Sequence, residues 1–135
     1  MHYLGIDWGK KRIGLSYSDD LGVAVPLPAI VTSDKQVRLS NLTQVICDRK
    51  IDAIVIGYPY TLKGAIGQRA REVDAFIIEL QVFVKVPINR YDERFSTNYA
   101  EQSAQTFGLK DDRRSGRSDS RAATLILQDF LTDIL

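Results

Sequence analysis

Histidine and cysteine occur once each in 135 residues, so the sequence is poor in the side chains that most often carry catalysis near neutral pH or hold zinc. His2 adjoins the initiator methionine, where chains usually fray, which argues against a catalytic or metal-binding histidine. Cys47 has no partner for an internal disulfide, and its neighbours Val45 and Ile46 predict that it packs on the buried side of a helix. Long hydrophobic runs are also missing. Stretches such as 53–57 and 125–127 fall far short of the ~20 residues that cross a bilayer, and no signal-peptide core is present, so a cytoplasmic protein with no membrane partner is expected. Nor is there an excess of either charge: Lys and Arg number 18 against 17 Asp and Glu, so any polyanion partner must be held by local clusters. What remains is an ordinary globular composition at a length that suits one domain over residues 1–135.

Hydrophobic periodicity supplies the elements. Tyr3 to Asp7 and Arg12 to Ser18 read as two strands of a hairpin, with Gly9 between them. Val23 to Ile30 reads as a third strand, and Pro26 and Pro28, which cannot donate ladder hydrogen bonds, put it at a sheet edge. Ser33 with Gln36 predicts a capping box for a helix that buries Leu39, Leu42, Val45 and Ile46 and runs to about Lys50. Ala53 to Ile56, ending at Gly57, has the continuous apolar pattern of a central parallel strand, whose C-terminal end is an expected ligand edge. A helix over Gln68 to Leu80, with Ala70, Val73, Ile77 and Leu80 on one face, precedes a strand over Val84 to Tyr91. A short helix capped by Ser96 or Thr97 ends at Gly108, a polar loop spans Lys110 to Ser118, and a last helix buries Ala123, Ile126, Leu127, Phe130 and Ile134. This order predicts an α/β fold: a five-stranded mixed sheet, a three-stranded antiparallel meander plus two parallel strands, with helices on both faces.

Three acids stand at the ends of these elements: Asp7 closes the first strand, Glu93 follows the last, and Asp119 opens the final helix. Singly, each has an ordinary explanation as a turn or helix cap. Together they have another, because a chain of this order can bring all three to one sheet edge, where they repel unless cations neutralise them. Hard oxygen donors suit magnesium or manganese, and two such ions about 3.5–4 Å apart can hydrolyse a phosphodiester without histidine or cysteine.

The segment Asp7-Trp8-Gly9-Lys10-Lys11-Arg12-Ile13-Gly14 resembles the opening D-x-G-x-K-R-I-G motif of the YqgF/RuvX family. Three further segments match in order: Ile56-Gly57-Tyr58-Pro59 with Gly64 and Gly67, Tyr91-Asp92-Glu93-Arg94-Phe95-Ser96-Thr97, and Asp119 with Ala122-Ala123 and Ile126-Leu127-Gln128. The resemblance spans nearly the whole chain. It implies a ribonuclease H-like fold and a metal-dependent nuclease acting in 5′-end maturation of pre-16S ribosomal RNA, or else as a Holliday junction resolvase on branched DNA. It also implies Asp7, Glu93 and Asp119 as catalytic ligands of Mg²⁺ or Mn²⁺, with Asp92 as a lesser candidate. The sequence departs from the family pattern at Trp8 and Lys10, where smaller residues are usual, and at Thr61-Leu62-Lys63, where the loop often reads N-x-D.

Basic residues flank each acid: Lys10, Lys11 and Arg12 after Asp7, Arg94 after Glu93, and Arg113, Arg114 and Arg117 before Asp119. Such residues would contact phosphates and give binding with little sequence preference. The run from Arg113 to Arg117 also reads as a solvated loop balanced by Asp111 and Asp112. Trp8, Tyr58 and Tyr60 could stack on bases or merely pack. A non-catalytic RNA or ribosome-assembly module would have no need of three converging acids, and 135 residues supply only one of the two domains with which actin-like folds close on ATP. No motif specifies an interface, so monomer and homodimer both stand.

Overall fold

The computed structural model describes residues 1–59, 67–92 and 120–134. Strands β1 (Tyr3–Trp8), β2 (Arg12–Ser18), β3 (Val25–Val31), β4 (Ala53–Tyr58) and β5 (Ile88–Asp92) form one sheet in the order β3-β2-β1-β4-β5. Pairing is antiparallel among β1, β2 and β3 and parallel across β1, β4 and β5, as the element order predicts, with the proline-bearing β3 at an edge. Helices α1 (Lys35–Asp48) and α2 (Gln68–Phe83) cover one face and α3 (Arg121–Ile134) the other.

Strand alternation decides what each helix meets. Leu4, Ile6, Ile13, Leu15, Ile54 and Ile56 point to the first face and join Leu42, Val73, Phe76, Ile77 and Leu80 in the main core. The second face is smaller and more polar. Val55 packs there with Ile126, Leu127 and Leu131, while Gly5, Ser16 and Ser18 line the strands beneath α3. A Cβ at Gly5 would lie 2.8 Å from both the Ala123 carbonyl oxygen and Leu127 Cβ, so only glycine admits the helix this close. Ser16 fixes the contact by donating to the Ala123 carbonyl at 2.7 Å.

Several boundaries differ from expectation. Asp34, not Ser33, caps α1, its carboxylate accepting the Gln36 and Val37 N–H groups at 3.0 and 3.1 Å; an acid directly before the first turn is the better acceptor there. Cys47 is exposed rather than packed, because the buried stripe runs through Arg38, Leu42 and Ile46 and the next residue turns about 100° away. The helix stops at Asp48, and Lys50 takes a positive φ of 52° where glycine is usual. Strand β5 starts at Ile88, four residues late: α2 continues to Phe83, and Pro87 contributes only its carbonyl, accepting the Ile54 N–H at 2.8 Å. In α3, Leu131 takes the buried place expected of Ile134, which is 52% exposed at the helix end, and Phe130 is half-buried against Tyr3 and Tyr91. His2 does not fray, since its N–H donates to Asp52 at 2.7 Å and its carbonyl accepts the Asp52 N–H at 2.8 Å. The expected helix ending at Gly108 and the loop from Lys110 to Ser118 lie outside the described residues. Among the described residues, no helix is long and apolar enough to cross a membrane.

Candidate functional site

Parallel pairing places the C-terminal ends of β1, β4 and β5 side by side, with Ile6 opposite Ile56, Gly57 opposite Tyr91 and Tyr58 opposite Asp92. Asp7 stands at this edge. It alternates with Ile6, so it shares the α3 side with Gly5, and its strand partner is Gly14. The side chain is half-buried, and burial pushes its carboxyl above the ordinary carboxylate value while the nearby Arg69 guanidinium draws it partly back. Arg69 Nη2 lies 3.8 Å from Asp7 Oδ1 and donates to the Trp8 carbonyl at 3.4 Å.

The turn after Asp7 is held from behind by Arg38, whose guanidinium donates to the Gly9 carbonyl and, at 3.0 Å, to that of Lys10. Its Cζ stands 5.4 Å from the centre of the Trp8 ring. Arg38 is only 6% exposed, and burial lowers its pKa. Neither arginine was singled out by the sequence. Arg38 had a legible signal, since it stands four and eight residues before Leu42 and Ile46 and so shares their buried stripe. Arg69 had a weaker one, its place in the first turn of the helix that follows the expected ligand edge of β4.

The other expected site residues divide. Lys10 is exposed with its ammonium 3.4 Å from Glu72, and Lys11 and Arg12 are exposed on the same turn. Strand alternation puts Asp92 on the α2 side with Tyr58, the side opposite to Asp7. Tyr58 packs rather than stacking on a ligand: it is 3% exposed, its hydroxyl donates to Asp74 at 2.7 Å, and Arg90 covers its ring. Trp8 leans on Phe76 with ring centres 6.3 Å apart. Glu93, Asp119, Arg94, Arg113, Arg114, Arg117 and Tyr60 lie outside the described residues. Among the described residues, no group of three acids, histidines or cysteines forms a metal-holding cluster.

One further residue joins the last helix to this edge. Ser120 is fully buried where the β2–β3 register shifts between Ile13 and Leu15, and its hydroxyl accepts the Leu15 N–H at 3.0 Å and donates to the Leu27 carbonyl at 2.5 Å. Those groups lose their ladder partners at the bulge, and the serine replaces them.

A family model described as RuvX, Holliday junction resolvase, matches residues 1–133. A protein of Opitutus terrae provisionally named pre-16S rRNA nuclease is 42% identical over 132 residues, covering 97% of this chain and 91% of its own. A Synechococcus protein of the same provisional name is 34% identical over 131 residues, covering 96% and 88%. Among solved structures, T. thermophilus RuvC in complex with a Holliday junction substrate superposes with a TM-score of 0.60 at 20% identity, covering 93% of this chain and 91% of that one. The Fowlpox virus resolvase with Holliday junction DNA gives 0.57 at 10% identity, over 100% and 99%. Likenesses at that identity establish the ribonuclease H-like fold.

Proposed function

The chain belongs to the RuvX family of Holliday junction resolvases, and on that premise we propose that it is a metal-dependent nuclease hydrolysing phosphodiester bonds in the 5′-end maturation of pre-16S ribosomal RNA. Residues 1–135 act as one nuclease domain in the cytoplasm. Asp7, Glu93 and Asp119 are its catalytic carboxylates and hold Mg²⁺ or Mn²⁺.

The observation that carries this reading is Asp7, an acid set at the edge of the sheet with its carboxyl raised by burial and one guanidinium 3.8 Å away. A hard divalent cation matches such a donor, and the neighbouring acids complete the oxygen set it prefers. Covalent continuity supports both. Glu93 follows Asp92, the last residue of β5 at the same end of the sheet. Asp119 precedes Ser120, and from Ala123, above Gly5, one helical turn of ~5.4 Å leads back to that junction while Asp7 lies ~6.6 Å beyond Gly5 in the same direction. When bound, paired ions activate water and stabilise the leaving oxygen.

The chain's own groups do the rest. Arg69 presents a cation beside Asp7, and Lys10, Lys11, Arg12, Arg94, Arg113, Arg114 and Arg117 extend the set in sequence, so the RNA is positioned through its phosphates. Arg38 keeps the Gly9–Lys10 turn in place beneath them. A second reading, resolution of branched DNA, is favoured by the family description and by the RuvC-like fold. It requires a symmetric dimer that presents two sites to opposed strands.

The test compares wild type with Asp7→Asn on precursor ribosomal RNA, single-stranded RNA and a four-way DNA junction, with and without Mg²⁺ or Mn²⁺. Metal-dependent cleavage of the precursor that falls by at least about a thousandfold in the variant is expected. Cleavage that persists in Asp7→Asn or without metal refutes the mechanism, and cleavage of the junction alone selects the second reading.

A further inference from the structure

On the other face of the sheet, at the same end as Asp7, the β1–β2 turn and the facing sides of α1 and α2 enclose a cleft of about 280 Å³. Trp8, Phe76 and Arg38 line it with Ala75, and Glu72 and Glu79 stand around it. The terminal nitrogens of Arg38 are spent on the turn carbonyls, but its Nε is buried with no acceptor among the described residues. The two carboxylates lean on exposed lysines: Glu72 is 3.4 Å from Lys10 and Glu79 is 3.9 Å from Lys35. Such pairs are weak and yield readily to a better donor.

We propose that this cleft receives one unstacked guanine base of the bound nucleic acid. The volume is close to the lower end of small-ligand sites, room for a base and not for a strand. Trp8 supplies the indole surface on which an unstacked base lies, with the nearly buried Phe76 and Arg38 packed against it. Guanine alone among the four bases offers a carboxylate paired N1–H and N2–H donors, the match for Glu72 or Glu79. Free phosphate would meet Lys10 and Lys35 at the rim, but it has no use for the indole wall and offers no donor to Glu72 or Glu79. Trp8 is the residue after Asp7, so a base held here belongs to a nucleotide beside the phosphate held there. The inference rests on the nuclease reading for the polymer that brings the base, whereas its test requires no cleavage.

Trp8 is the only tryptophan, so a single indole N–H resonance reports on the cleft. In metal-free buffer, GMP and guanosine are each expected to shift that resonance saturably below about 10 mM, while inorganic phosphate does not. AMP, CMP and UMP should bind at least about tenfold more weakly. Ala75→Leu, a substitution at an exposed position of α2 that fills the cleft, should abolish the shift, and the Glu72→Gln, Glu79→Gln double variant should erase the preference for GMP over UMP. No saturable shift with GMP, a shift reproduced by phosphate, or an unchanged response in Ala75→Leu overturns the proposal. Cleavage of precursor RNA without a GMP shift would sink this inference and leave the nuclease reading standing; a GMP shift without cleavage would do the reverse.

Discussion

On the α1 and α2 side, the sheet meets its helices through branched aliphatic residues, Leu4, Ile6, Ile13, Leu15, Ile54 and Ile56, that fill the space between layers. On the α3 side the first two strands offer Gly5, Ser16 and Ser18, and the helix descends almost to the backbone, held by hydroxyl-to-carbonyl bonds. One face is held by volume and the other by closeness and hydrogen bonding. The difference suits the site: small residues leave room at the edge for Asp7 and for the start of α3, whereas a thick aliphatic layer would push them apart and bury the carboxylate completely.

Substitutions can break this contrast. Ile6→Ala, on the aliphatic side, is expected to lose the most, about 3–4 kcal/mol of unfolding free energy in urea, because it removes buried atoms and leaves a void. Gly5→Ala, one residue away on the other side, should cost about 2–3 kcal/mol by the opposite mechanism, since the added methyl meets backbone and Leu127 at 2.8 Å. A nearly neutral Gly5→Ala would show that α3 is not seated so close. Ser120→Ala should cost about 1–2 kcal/mol, because Leu15 and Leu27 lose the hydroxyl that replaces their ladder bond. Full stability in that variant would mean that water serves the bulge equally well.

The smallest effect is one of sign. Burial holds the Asp7 carboxyl above its ordinary pKa, and Arg69 offsets only part of that rise. The folded chain therefore binds this proton more tightly than the unfolded one. Its contribution to stability is full below the ordinary carboxylate value and is lost as pH rises through the raised one. In metal-free buffer, Asp7→Asn should melt roughly 2–5 °C above wild type near neutral pH, with the gap closing towards about pH 3. An asparagine variant that melts below wild type at neutral pH would show that the ionised acid is stabilised by its surroundings, contrary to the reading of Asp7 as a donor in want of a cation.

Most of the architecture was legible because its signals are local. Apolar runs and turn residues locate the strands, and Pro26 and Pro28 put β3 at the edge where it is found. Boundaries failed where a competing local bond decided them, as at Asp34 and Pro87. Of the candidate site, the position of Asp7 near the end of β1 was legible from the strand pattern. Arg38 and Arg69 were not, because what each does depends on an element distant in sequence: α1 reaches the Gly9–Lys10 turn and α2 reaches Asp7 only in the folded chain. Tyr58 read equally as a stacking platform and as packing until tertiary contacts buried it and gave its hydroxyl an acceptor in Asp74.

The bonds that seat α3 join residues 105 and 107 positions apart. During synthesis, the first two strands leave the ribosome long before the segment that must lie across them, and until it arrives their glycine and serine row has only water to bond. A nascent chain can therefore assemble its aliphatic side early, yet it cannot close the face that carries Gly5 and Asp7 until residues 121–134 have emerged.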